Sequence, residues 1–277
     1  MTELFCQTVE MVGIEIRKMT VSDGGAVEAL IAKAFAGLNP VGIAERELEL
    51  APETCWVAVA DESVTGVVCA VQYDLLAYIG PMAVMPEYQG NGIGRRLFER
   101  LVESLEAQGC LTMMLDATEA GAPLYRKFGF VEWARTCEMT RAPGAGLAQR
   151  PVADLETVLE MDRRVFTANR AMMFRRLLER EGAALFSHST GYVMAQAKVL
   201  GPFVAWDRGG AERLLDLAID AGAVASRVLA PVENKEAEPL LRSWGFEAQR
   251  EVKQMRRGLT VEIRRDLMYG LASFALG

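Results

Sequence analysis

Three short blocks occur twice in this 277-residue chain, in the same order. Ile79-Gly80-Pro81-Met82-Ala83-Val84 returns as Leu200-Gly201-Pro202-Phe203-Val204-Ala205. Pro123-Leu124-Tyr125-Arg126-Lys127-Phe128-Gly129-Phe130 returns as Pro239-Leu240-Leu241-Arg242-Ser243-Trp244-Gly245-Phe246. Asp23, Val27 and Phe35 return at equal internal spacing as Asp154, Val158 and Phe166. Three ordered matches read as a duplication, so the fold must be one supersecondary plan built twice. The second copy is shorter between its blocks: 44 residues from Gly201 to Gly245, against 49 from Gly80 to Gly129. The missing five fall on the loop at 86–92. The run Ala142-Pro143-Gly144-Ala145-Gly146 reads as a flexible connection. The expected halves are 1–141 and 147–277.

Composition removes several function classes. A net charge of −7 argues against a nucleic-acid partner, because phosphates are met by a basic surface. Cys6, Cys55, Cys69, Cys110 and Cys137 are odd in number and widely spaced, and His188 is the single histidine. No metal site is expected from so few ligands, and the cysteines read as free thiols of a reducing compartment. The first 18 residues lack a basic start and a continuous apolar stretch, unlike a secretory signal. The most apolar stretch, 75–85, is short and broken by Gly80-Pro81, while a membrane span needs about 20 residues. The expectation is a cytoplasmic protein with no membrane partner.

Periodicity gives the first copy the order β-α-α-β-β-β-α-β-α-β. Ile14 and Ile16 alternate with charges as a strand does. Asp23 is expected to cap a helix with Val27, Leu30, Ile31 and Phe35 on one face. Segments 56–60 and 66–73 read as strands joined by a turn at Asp61-Glu62-Ser63. An apolar strand follows at 77–84. Leu97, Leu101 and Leu105 mark a helix at 93–108 that Gly109 stops. A buried strand at 111–115, a short helix at 122–128 and a strand at 130–139 close the copy.

Chemistry is concentrated in Val84-Met85-Pro86-Glu87-Tyr88-Gln89-Gly90-Asn91-Gly92-Ile93-Gly94-Arg95-Arg96. A strand runs into a glycine-rich loop and then a long helix. Gly90, Gly92 and Gly94 are expected to allow positive φ and close approach of a ligand. Loop N–H groups and the helix start favour an anion there, as a pyrophosphate cradle does. The spacing is G-x-G-x-G, not the dinucleotide G-x-G-x-x-G, and a P-loop's G-K-[ST] is absent. With its context, Gln89-x-x-Gly92-x-Gly94 resembles the acetyl-CoA loop of the GNAT acyltransferases. Leu124-Tyr125-Arg126-Lys127-Phe128-Gly129-Phe130 resembles that family's late L-Y-x-x-x-G-F block. The resemblance implies a mixed-sheet α/β (α+β) fold, with two GNAT-like domains in tandem.

The resemblance also implies residue roles. Main-chain groups of Met82, Ala83 and Val84 would pair with the pantetheine arm, and one N–H would polarise the acyl carbonyl. Gln89, Gly90, Asn91, Gly92, Ile93, Gly94 and Arg95 would hold the pyrophosphate; Arg95 and Arg96 could both add charge, or one of them is only a solvated helix residue. Tyr125 would protonate the departing thiolate; packing beside Phe128 and Phe130 is its other reading. Where the family has Asn, seven residues earlier, this chain has Thr118, which leaves a cofactor contact there open. No general base is legible: Asp74, Tyr78 and Asp116 are candidates of equal standing with turn and edge residues. His188 reads as a surface residue.

The second copy lacks both elements. Its strand runs into Asp207-Arg208-Gly209-Gly210-Ala211-Glu212 with no loop motif, and Leu241 stands where Tyr125 does. It resembles a degenerate GNAT-like domain of tandem-GNAT proteins, an acceptor-site or regulatory half, with Asn169 and Arg170 as candidate polar contacts. The implied activity is N-acetyl transfer from acetyl-CoA to a small-molecule amine or peptide by direct attack. The alternative is a non-catalytic acyl-CoA or metabolite sensor. A monomer or homodimer is expected.

Overall fold

A computed structural model describes residues 13–35, 40–143, 153–221 and 225–277. Cys6, the segment 1–12 and residues 144–146 of the connection lie outside them. The first copy comprises β1 (Glu15–Lys18), α1 (Gly24–Ala34), α2 (Ile43–Leu50), β2 (Trp56–Ala60), β3 (Ser63–Tyr73) and β4 (Leu76–Val84). It continues through α3 (Ile93–Ala107), β5 (Thr112–Ala117), α4 (Ala122–Lys127) and β6 (Val131–Thr140). The second comprises α5 (Leu155–Phe166), α6 (Ala171–Leu178), β7 (Ala184–His188), β8 (Gly191–Ala195), β9 (Leu200–Ala205) and α7 (Arg208–Asp220). It ends with β10 (Arg227–Pro231), α8 (Ala237–Ser243), β11 (Glu247–Gly258) and β12 (Met268–Gly270). The element order expected for the first copy is the order observed.

The described residues form two compact units. One takes the described residues up to Cys69 together with Met82–Ser104; the other takes Ala70–Pro81 and the described residues from Leu105 onward. In the first unit β2 lies between β1 and β3, antiparallel to both. Val27, Leu30 and Ile31 of α1 pack on Val57, Val67 and Cys69, so the helical spacing of apolar residues becomes the core. Asp61 and Glu62 both have positive φ, the backbone of a two-residue hairpin whose twist matches its strands. Asp23 differs from expectation. Its carboxylate makes no bond to α1 but accepts from the Thr20 N–H and hydroxyl and from Nη1 and Nη2 of Arg17.

The second unit holds the consequence of the duplication. β4 and β5 are parallel from Leu76↔Thr112 to Ile79↔Leu115. In the sequence β6 is the strand that closes the first copy. Instead β11, the last strand of the second copy, pairs with β5 from Lys253↔Ala117 to Gly258↔Thr112. β6 pairs with the other edge of β11 and then with β10. The two copies therefore exchange their final strands. Copies of one plan present near-equivalent edges, so the exchange satisfies the same ladder bonds. A separate antiparallel sheet has the order β12-β9-β8-β7. Leu214, Leu215 and Ala218 of α7 pack with Phe203, Val193 and Val228 in that copy's core.

Arg170 is not an available polar contact. Its side chain is fully buried, and two of its nitrogens donate to Asp162. A third donates to the Gly277 main-chain oxygen at 3.0 Å, and the guanidinium stacks 3.8 Å over Phe166. Tyr192 donates to the same carboxylate. Asn169 is exposed, with its N–H on Asp74 Oδ2 at 2.8 Å. Cutting one side of a buried pair strands the other charge. Asp162→Ala is therefore expected to cost about 3–5 kcal/mol in denaturant unfolding.

Candidate functional site

The loop has the backbone its glycines imply, with one correction. Gly90 and Gly92 have φ of +82° and +76°, where a Cβ is unfavourable. Neither would meet an atom within 4 Å on that side, so the face is open to a ligand. Gly94 does not need positive φ, because it already lies in α3. The first intrahelical bond of α3 runs from Arg96 N to Gly92 O. The N–H groups of Ile93, Gly94 and Arg95 precede it and have no intrahelical acceptor. A 15-residue helix adds its positive end at the same place. This donor set fits a pyrophosphate.

The side chains around the loop divide their roles. Gln89 Nε2 donates to Val84 O at 3.0 Å and braces the exit of β4. Asn91 Nδ2 donates to Tyr88 O at 3.3 Å. Arg96 is tied to Ile14 O at 2.9 Å, while Arg95 is exposed with no partner among the described residues. Ala83 is in the core, whereas Met82 and Val84 are half-buried.

Tyr125 lies in α4, in the second unit. It is 9% exposed, tilted against Phe130 at 6.3 Å between ring centres, and burial pushes its hydroxyl up to about 12. Thr118 is exposed, and its hydroxyl accepts from Gly121 N at 3.1 Å at the start of α4. Gly129, at φ +81°, ends the helix, and Phe130 N returns to Tyr125 O at 3.2 Å. The second copy repeats this turn with Gly245 at φ +82° and Phe246 N on Leu241 O at 3.1 Å. The phenol is missing, because a fully buried Leu241 stands in its place.

Among the candidate bases, Asp74 is a turn residue at φ +54° that holds Asn169 N. Tyr78 and Asp116 hydrogen-bond to each other in a buried network with Gln254 and Arg265. Sequence reasoning missed Gln254 and Arg265, because only the strand exchange brings them to β5. His188 is exposed beside Ser189 and Thr190. Among the described residues, no three His, Cys, Asp or Glu side chains could hold a metal, and no helix is long and apolar enough to cross a membrane.

The second copy arranges the equivalent strand end and helix start differently. Asp207 caps α7 by accepting Gly210 N at 2.7 Å, which puts the chain's own carboxylate at that helix start. β9 and β10 are not paired as neighbouring strands. β12 pairs with β9, and Leu271 N bonds Leu229 O of β10 at 2.9 Å. The chain's own residues 268–271 thus occupy the groove between those two strands. A Cβ on Gly201 would meet Leu271 O at 2.1 Å, so only glycine passes there.

A sequence model of the acetyltransferase (GNAT) domain family matches residues 51–132, and a second GNAT-domain model matches 158–270. A candidate acetyltransferase from Pyrococcus horikoshii is 29% identical, with TM-score 0.86 over 99% of this chain and 98% of that one. Glucosamine 6-phosphate N-acetyltransferase from Trypanosoma brucei brucei is 36% identical over 55 residues, 20% of this chain and 37% of the relative. The ribosomal protein bS18 alanine N-acetyltransferase of Escherichia coli K12 is 41% identical over 54 residues, 18% of this chain and 36% of the relative. The chain thus spans little more than a third of the length of these curated relatives. Two family matches in series, over a mixed α/β fold that repeats its own turns, make this chain a tandem-GNAT protein of the GNAT N-acetyltransferase family.

Proposed function

We propose that the protein is an acetyl-CoA-dependent N-acetyltransferase in which the first copy, 1–141, does the chemistry. The second copy, 147–277, serves the acceptor side or regulation. One observation carries this reading. The first copy keeps an open glycine loop ahead of a long helix, while the second fills the equivalent groove and caps its own helix. The copies are halves of the sequence, not separable bodies, because their last strands are exchanged.

In this reading the N–H groups from Gly90 to Arg95 hold the pyrophosphate, with the Arg95 guanidinium beside them. Main-chain groups of Met82, Ala83 and Val84 align the pantetheine arm, and Thr118 lies at its periphery. When bound, acetyl-CoA supplies a thioester carbon that an amine attacks directly. No activated nucleophile is in place for an acyl-enzyme among the described residues. Tyr125 gives the proton that the leaving sulfur needs. The acceptor is a small-molecule amine or the amino group of a peptide, and the named relatives supply two probes: glucosamine 6-phosphate and an alanine-terminated peptide.

The loop is tested by calorimetry with acetyl-CoA. Gly92→Asp puts a side chain at φ +76° and a negative charge against the pyrophosphate. The side chain disfavours the loop's binding backbone and the carboxylate repels the pyrophosphate, so affinity is expected to fall about tenfold or more. An undiminished affinity removes the loop from the site. Release of free CoA across an amine panel then separates an enzyme from a sensor.

A further inference from the structure

Arg265 is 4% exposed, and each of its three guanidinium nitrogens donates inside the second unit. Nε donates to Glu233 Oε2 at 2.9 Å, and Nη2 donates to Arg135 O at 2.8 Å and Thr136 Oγ1 at 3.2 Å. Nη1 donates to Gln254 Oε1 at 2.8 Å. A guanidinium cannot accept, so the Gln254 oxygen must face it and the amide nitrogen must face away. That nitrogen donates to Tyr78 Oη at 2.5 Å. The single Tyr78 proton is thereby committed to Asp116 Oδ2. One hydrogen bond from each residue thus forms a relay, Arg265 to Gln254 to Tyr78, that ends on one carboxylate.

The other oxygen of that carboxylate is the exception. Asp116 Oδ1 is buried and has no hydrogen-bond partner among the described residues. A buried acceptor left unmade is costly, and an N–H donor brought by a ligand would satisfy it. Its position is specific. β4 and β5 pair up to Ile79↔Leu115, and Asp116 is the first β5 residue past the last pair. Gln254 stands directly across from it on β11.

We infer that Asp116 accepts the proton of a primary ammonium acceptor, and that Gln254, on the exchanged strand, and Arg265, in the segment after it, are its positioning residues. The inference rests on the N-acetyltransferase reading. In the step, an N–H bond of the ammonium breaks and its proton joins Asp116 Oδ1, leaving a neutral acid and a free amine. The amine lone pair forms the N–C bond while the C–S bond breaks, and Tyr125 protonates the sulfur. The nitrogen sheds its second proton to water. Asp116 later releases its own proton to water, and Tyr125 recovers one.

The electrostatic surroundings of Asp116 agree with the assignment. Burial raises Asp116 to about 7, against the lowering effect of the Tyr78 hydrogen bond, the Arg265 charge and the Gln254 amide. Those three groups face it from β4, the segment after β11 and β11 itself. A base with that value is half-ionised near neutrality, where general bases work best. The ionised form is the active one, so kcat/KM should rise as pH passes through about 7 and then level.

The full-length protein carrying ¹³C-labelled aspartate carboxyls reads the titration by NMR, with Asp116→Asn identifying the resonance. The probe amine is the best acceptor of the panel. The expected midpoint for Asp116 is near 7, and Asp116→Asn is expected to lose about 10²–10⁴-fold in kcat/KM while binding acetyl-CoA normally. Gln254→Leu is expected to move the carboxyl midpoint and the kcat/KM limb upward together. If Gln254→Leu does not fold, Tyr78→Phe cuts the chain one bond nearer. An Asp116 midpoint near the ordinary carboxylate value overturns the proposal. So does a kcat/KM limb that stays still while the carboxyl moves, which would make the network a structural fastening of β11. A wild-type protein that neither binds acetyl-CoA nor acetylates any amine removes the underlying reading as well.

Discussion

A chain ended at residue 143 is expected to lose its fold rather than become a free-standing half. β5 would have no antiparallel neighbour, because β11 supplies it from Lys253↔Ala117 to Gly258↔Thr112. β6 would lose both partners, β11 on one edge and β10 on the other. Val252 and Met255 of β11 are buried, and their removal exposes the apolar faces they cover. The tail is lost too, including the Leu276 carbonyl that accepts from Tyr73 Oη at 3.1 Å and the Ala275 backbone packed against Gly80. Two unsatisfied strand edges and an open core exceed a total stability of about 5–15 kcal/mol. Circular dichroism and size exclusion of residues 13–143 should show an unfolded or aggregated chain. A monomeric, cooperatively melting fragment would mean that β6 can return to β5 and that the exchange is optional.

Most of the elements were legible because their causes are local. The alternation of 56–60, the helical spacing of Leu97, Leu101 and Leu105, and the stop at Gly109 each act within a few residues. The glycine loop was legible for the same reason, since a turn, an open face and a helix start fit in one short stretch. Gly94 was misread because spacing alone does not say where the loop ends and α3 begins. The strand exchange was not legible. β6 and β11 descend from one plan and carry equivalent patterns, so nothing local says which copy's edge each will take. Gln254 and Arg265 inherit that blindness. They matter only through a pairing that crosses the duplication, and in the sequence they are an ordinary strand glutamine and one arginine among several. Arg170 misled for a different reason. Beside an exposed Asn169 it looks solvated, and only the fold shows Asp162 one helix away.

Tyr125→Phe is expected to lower kcat by about 10²–10⁴-fold while leaving acetyl-CoA affinity unchanged, as loss of a positioned proton donor does. The substitution removes one oxygen and keeps the ring, so the packing against Phe130 survives. Burial has raised the hydroxyl to about 12, which keeps it protonated throughout the working range. So weak an acid is a poor donor to an ordinary thiolate near 8.5, but burial raises a thiolate released beside it as well and narrows the gap. The sign of the pH dependence follows. Because Tyr125 does not ionise below about 12, it contributes no falling limb between about pH 8 and 10, so the variant should lower the plateau without moving either limb. The second copy offers the reciprocal control. Leu241→Tyr restores a hydroxyl at the equivalent turn, yet β12 fills the groove beside β9 and Asp207 holds the helix start, so no second activity should appear. Rapid-quench turnover with saturating acetyl-CoA isolates the chemical step. A Tyr125→Phe protein with unaltered single-turnover rates and a lowered melting temperature would reassign Tyr125 to packing and leave the sulfur to be protonated by water.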